Sequence, residues 1–119
     1  MMNRNELIEY IQNNYGVDPE YPWARAPTFA TFKHGNNAKW FAVVMDIAAK
    51  KVVENGGEEK IDIVNVKVPP ELVGSLRLQK DIYPAYHMNK EHWVTVKLGG
   101  EVSAAELISL VDESYRLTV

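Results

Sequence analysis

The stretch AKWFAVVMDI, residues 38–47, constrains this chain more than any other. Strict alternation puts Phe41, Val43, Met45 and Ile47 on one side of an extended segment and Trp40, Ala42 and Val44 on the other. Both sides are apolar, so the segment predicts a central strand with material packed on each face. TFATFK, 28–33, precedes it across His34-Gly35-Asn36-Asn37, residue types that tolerate positive φ in a tight turn. Two antiparallel strands are therefore expected here.

Further strands follow from the same period. In EKIDIVNVKVP, 59–69, Val64, Val66 and Val68 alternate with Asn65 and Lys67, giving one dry and one polar face. In HWVTVKL, 92–98, Val94, Val96 and Leu98 share one face, and Trp93, Thr95 and Lys97 the other. AAKKVVENGG, 48–57, fits either a helical turn or a strand extension into a Gly-Gly bend. PPELVGSLR can begin a short helix, because proline suits the first turn.

Two longer helices bracket these segments. Leu7, Ile8, Ile11 and Tyr15 form a stripe over 5–15, with Asn3 or Asn5 to cap it and Gly16 to end it. Ser103 and Glu106 have capping-box spacing before a second stripe of Ala104, Leu107, Ile108, Val111 and Tyr115. Between the first helix and first strand, three prolines make 16–27 irregular, with Tyr21 and Trp23 expected to pin it to the core. The predicted architecture is α+β: a two-layer domain over 1–119, an antiparallel sheet with the N- and C-terminal helices packed on one face.

Composition limits the chemistry. The 119 residues include no cysteine, which excludes disulfides, thiolate nucleophiles and cysteine-ligated metals. The net charge of -3 argues against a broadly basic polyanion binder while leaving room for a local patch. No apolar run spans a bilayer and the N-terminus lacks a signal-peptide profile, so a cytoplasmic protein without membrane association is expected.

Chemistry-bearing residues concentrate in YPAYHMNKEHWVTV, 83–96. His87 and His92 are five apart, neither helical nor strand spacing for a metal pair, and no metal or cofactor is expected. A histidine acting as acid or base beside a phosphate-holding lysine would suit phosphate chemistry, but no phosphate loop, nucleophile elbow or carboxylate pair accompanies it. Lys33, His34 and Lys39 around the first turn, with His87, Lys90 and His92 in the crowded segment, make a candidate phosphate-binding set. Lys67 and Lys97 lie on the polar strand faces, and Trp93 or Tyr86 could stack on a base. The plainer alternative is solvated lysines, surface histidines and aromatics at the core edge. Of Trp23, Trp40 and Trp93, two are expected in the core.

TFKHGNNAKWFAVVM, NVK at 65–67, PAYHMNKEHWVTV and SYRL at 114–117 together resemble the MmcQ/YjbR family, in order from about residue 21 onward. The resemblance implies a frataxin-like (CyaY-like) arrangement and a DNA-binding role through two loop-bearing hairpins, and it carries over no enzymatic activity, cofactor or catalytic residue set. It implies no iron either: the first helix offers only Glu6 and Glu9 where an acidic ridge would be needed. Its motif covers Lys33, His34, Asn37, Lys39 and Trp40, then His87, Met88, Asn89, Lys90, His92 and Trp93. Each could instead serve folding: Asn89 as a turn cap, Trp93 as a strand anchor, His87 on a backbone carbonyl. The expected function is a monomeric, non-enzymatic DNA-binding protein using one rim built from the His34–Asn37 turn and the bend within 83–96 that carries His87, Lys90 and His92. The alternatives are a protein- or small-ligand-binding module and a phosphate-chemistry enzyme.

Overall fold

A computed structural model describes all residues, 1–119. Helix α1 (Arg4–Tyr15) starts at Asn3, whose side chain accepts from the Glu6 amide while Glu6 accepts in return from the Asn3 amide, both at 2.9 Å. Gly16 ends it at φ 65°, the left-handed conformation that glycine enters without strain. Helix α3 (Ala104–Thr118) starts at Ser103, which accepts from Glu106 at 3.1 Å. The full reciprocal box thus belongs to α1.

Between the helices run β1 (Ala30–Lys33), β2 (Trp40–Ala48), β3 (Lys60–Lys67), a short α2 (Val73–Leu76), β4 (Ile82–Pro84) and β5 (Trp93–Lys97). The sheet is antiparallel throughout, in the order β1-β2-β3-β5-β4. Strand β4 escapes the periodicity argument, since it is three residues long and ends on a proline. Both suit an edge strand. Segment 48–57 resolves into the helical alternative, a 3-10 turn at Ala49–Lys51. Residues 16–27 are irregular apart from one bridge, Glu20 to Thr31, on the outer edge of β1.

Leu7 and Ile11 of α1 and Leu107 and Val111 of α3 pack on one sheet face with Ala42, Val44, Val64, Val66, Val94 and Val96. Val43, Met45, Ile47 and Ile63 form a smaller cluster on the opposite face. No helix covers that second face. Phe29, Val52, Tyr86 and Met88 cover it from three different loops. No helix is long and apolar enough to cross a membrane.

One irregularity reassigns two aromatic residues. Phe32 pairs with Ala42 but Lys33 pairs with Trp40, so Phe41 is an extra residue in β2. Such a bulge breaks strict alternation. Phe41 therefore joins the helix side, against Tyr15, His34 and Tyr115, and Trp40 moves to the second face, reversing the expectation from simple alternation. The Ser114 hydroxyl of α3 spans the end of the β2–β3 ladder, donating to the Phe41 carbonyl at 2.6 Å and accepting from the Lys67 amide at 2.8 Å.

Candidate functional site

The second sheet face is built around a buried polar knot. Asn65 on β3 and Thr95 on β5 are directly paired and have no solvent exposure. Asn65 Nδ2 donates to the Tyr86 carbonyl at 2.8 Å, and the Tyr86 amide donates to Thr95 Oγ1 at 2.9 Å. The polar strand face expected from Asn65 and Thr95 is thus not solvated; it is where the bend after β4 docks. Every buried side-chain polar atom finds a hydrogen-bond partner, so the knot is closed.

The dock holds Tyr86 and His87 above the sheet. Their rings meet edge to face at 4.2 Å. His87 has φ 57°, an uncommon conformation for a residue with a side chain, and is exposed. Asn89 shapes the rest of the bend: its side chain accepts from the Glu91 amide at 2.8 Å, and its carbonyl accepts from Trp93 at 3.0 Å. This is the turn-capping alternative for Asn89.

Two concavities flank the Tyr86–His87 wall. The first, about 320 Å³, is lined by Trp23, Phe29, Trp40, Val43, Met45 and Met88 together with the wall itself. Trp23 and Trp40 meet edge to face at 5.5 Å, each 37% exposed. Neither is a core residue, and Trp93 is half-buried, so the expectation of two core tryptophans fails. The loop carrying Trp23 does not insert into the core either, and Tyr21 is 51% exposed. Instead the loop brings an indole alongside Trp40, which the bulge had turned outward.

The second concavity is polar, lined by Lys51, Val52, Pro84, Ala85 and Lys90 with the same Tyr86 and His87. Lys51 arrives from the far end of β2, on the 3-10 turn. That turn is held against residue 56: a Cβ on Gly56 would lie 2.9 Å from backbone atoms of Ala49 and Lys50. Nothing in the sequence pattern connects Lys51 with Lys90; the return of this turn over the second face does.

The other proposed contacts divide. The 34–37 turn and the 85–92 bend do lie at the same end of the sheet, where Trp40, Lys67 and Trp93 also sit. His34, however, is buried at 3% exposure between Phe41 and Tyr115, with Nε2 2.7 Å from Thr118 Oγ1. The Thr118 hydroxyl donates to the Ser114 carbonyl, so His34 donates to Thr118. Asn37 donates to the Thr118 carbonyl at 2.9 Å and accepts from the Lys39 amide. His34 and Asn37 therefore tie the end of α3 to the sheet, His34 from a buried position and Asn37 from an exposed one. Positive φ in this turn falls on Ala38, at 58°, not on its glycine or asparagines. Lys33 pairs with Glu20 at 3.4 Å. Lys97, half-buried, lies at the other end of β5 beside Asp81 and Glu101, away from the rim. Lys39, His87 and Lys90 are exposed, and Lys67 and His92 are half-buried at the rim end.

Both layers carry charge of both signs: Glu54, Glu58, Glu59 and Glu91 lie in the loops that cover the second face, with Lys50, Lys51 and Lys90. The helix layer carries Glu6, Glu9, Glu106, Asp112 and Glu113 against Arg4 and Arg116. Asp112 is engaged there by the Tyr10 hydroxyl at 2.9 Å and by that of Tyr15, and burial followed by the Asp112 contact raises the Tyr10 pKa. No cluster of three or more metal-ligating side chains occurs.

Comparison with known proteins agrees with this architecture. The chain is 36% identical to the Bacillus subtilis uncharacterized protein YyaQ, over 99% of each chain. It is 44% identical to the Escherichia coli uncharacterized protein YjbR over 57 residues, 47% of this chain and 48% of that one. A crystal structure of a Pseudomonas syringae protein superposes with TM-score 0.96 at 49% identity, covering 99% of this chain and all of the other. The Deinococcus radiodurans protein DR2400, a DUF419 domain, superposes at 0.72 with 26% identity, covering 98% of this chain and 78% of the other. The YjbR family model matches residues 12–117, and the chain belongs to the YjbR family.

Proposed function

We propose that this protein is a non-enzymatic DNA-binding protein that engages DNA with its loop-covered sheet face. One observation carries the proposal: an aromatic groove and a lysine-lined cleft share a single wall, Tyr86–His87. Nucleic-acid binding combines these two elements, cations for phosphates and aromatic surface for bases. Lys51 and Lys90 supply the phosphate contacts in the cleft, with Lys39, Lys67 and His92 along the rim.

Binding rather than turnover is favoured because His87 and Tyr86 are the only titratable groups lining the groove. On the other side of the wall His87 meets Lys51 and Lys90, a set suited to holding a phosphate, and no carboxylate lines either concavity. The proposal is tested by titrating the protein with a single-stranded oligonucleotide and following tryptophan emission. Saturable quenching that is lost in Trp40→Ala supports it. An unchanged emission with no binding by any other probe removes it.

A further inference from the structure

We infer that the groove accepts one unpaired base, so that the preferred partner is DNA carrying an unstacked nucleotide rather than a regular duplex. This rests on the DNA-binding proposal and specifies its ligand. The groove is concave and bounded by loops on both sides: Trp23 and Phe29 from one, Tyr86 and Met88 from the other. Its floor is the sheet itself, at Val43 and Met45. A base inside a duplex presents only its edges, and its flat faces are covered by neighbours. An apolar groove edged by indoles offers little to base edges and much to a flat face.

Size and charge agree. A volume of about 320 Å³ lies at the lower end of sites that take a single small-molecule-sized group. Lys51 and Lys90 sit across the Tyr86–His87 wall, so a backbone phosphate can remain in the polar cleft while its base enters the groove. No helix is arranged for the usual alternative. The inward stripes of α1 and α3 are buried on the sheet, their outward sides are acidic, and α2 has four residues. Chemistry also limits specificity: no carboxamide or carboxylate lines the groove to read a base edge. The His87 ring, the Tyr86 hydroxyl and the indole N–H groups are its only polar side-chain atoms, so the site selects first for the base being unpaired.

The test uses the intact protein and three labelled DNAs of common sequence. One is a perfect duplex, one carries a single extra unpaired base, and one carries an abasic nucleotide at that extra position. The expected result is that the unpaired base tightens binding about tenfold or more over both others, the scale of one aromatic stack. Trp40→Ala should remove that gain, Trp40→Phe should keep part of it, and Lys90→Ala should weaken all three complexes. Equal, salt-sensitive affinity for all three DNAs would overturn the inference and leave the DNA-binding proposal standing. Absence of binding to any of them would overturn both. The three-DNA comparison is made on the unsubstituted protein, so it stands even if a tryptophan variant fails to fold.

Discussion

Thr95 Oγ1 donates to Asn65 Oδ1 at 2.5 Å between two strand residues with no solvent exposure. The same hydroxyl accepts the Tyr86 amide, and Asn65 holds the Tyr86 carbonyl. Two side chains on neighbouring strands thereby replace the backbone partners that the bend after β4 lacks. Tyr86 and His87 stand at a fixed height above the sheet as a result.

Thr95→Val keeps the shape of the side chain and removes the hydroxyl. It leaves the Tyr86 amide without its acceptor and Asn65 Oδ1 without its donor. A loss of about 2–3 kcal/mol is expected, from one to two unsatisfied buried groups. Urea unfolding measures it, and hydrogen exchange should show the Tyr86 amide among those most accelerated. A neutral substitution would mean that the knot does not hold the bend.

His34 separates a folding role from a binding one. His34→Ala removes a buried ring packed on Phe41 and Tyr115 and a bond to Thr118. A loss of about 3 kcal/mol is expected, from the cavity and the unpaired group together. Because the ring does not reach solvent, the salt dependence of DNA binding should not change. A shallower salt slope with unchanged stability would return His34 to the phosphate-contacting set.

Much of this architecture is legible in the sequence, and the gaps have physical causes. Val64, Val66 and Val94, Val96 mark their strands because each strand has one continuous dry face. The α1 stripe and its Asn3 cap are local and survive folding. The bulge at Phe41 leaves no such trace, since it depends on how β2 meets β1 and Ser114. Without it, Trp40 points to the wrong face and the groove disappears. His34 has turn-like neighbours, so only the arrival of α3, 84 residues away at Thr118, reveals its burial. Lys51 and Lys90 come together through a turn with no period of its own. The crowded segment 83–96 stands out because its middle, between β4 and β5, docks through the side chains of Asn65 and Thr95 instead of a ladder.

Gly56 controls the position of Lys51 from a distance. A methyl at residue 56 would press on the Ala49–Lys50 backbone at 2.9 Å, and backbone cannot yield as a side-chain tip can. Gly56→Ala should therefore shift the 3-10 turn, lower stability by about 1–3 kcal/mol as overpacking does, and weaken DNA binding. Fluorescence-monitored unfolding and an affinity titration together check this. Full affinity with normal stability would show that the turn does not place Lys51.

Alkaline pH offers a test of the other end of the sheet. The Tyr83 hydroxyl donates to Asp81 at 2.9 Å, and its pKa is pushed up to about 12 by burial first and by the Asp81 bond and charge second. The ordinary value is 10.0, so above it the unfolded chain loses this proton while the folded chain still holds it. The contribution is present in full below pH 10 and is lost as pH rises towards 12. Melting temperature should fall over that window less steeply in Tyr83→Phe than in the unsubstituted protein. Parallel profiles would contradict the assignment.

The central claim is that Lys51 and Lys90 hold phosphates beside an aromatic groove. Its most direct test is a salt titration of single-stranded DNA binding by the unsubstituted protein and by the Lys51→Ala/Lys90→Ala double variant. Each phosphate contact on a single strand contributes about 0.7 to the slope of log affinity against log salt. The account predicts a slope shallower by about 1.4 in the double variant, with the fold intact. An unchanged slope, or no binding by the unsubstituted protein at low salt, would contradict it.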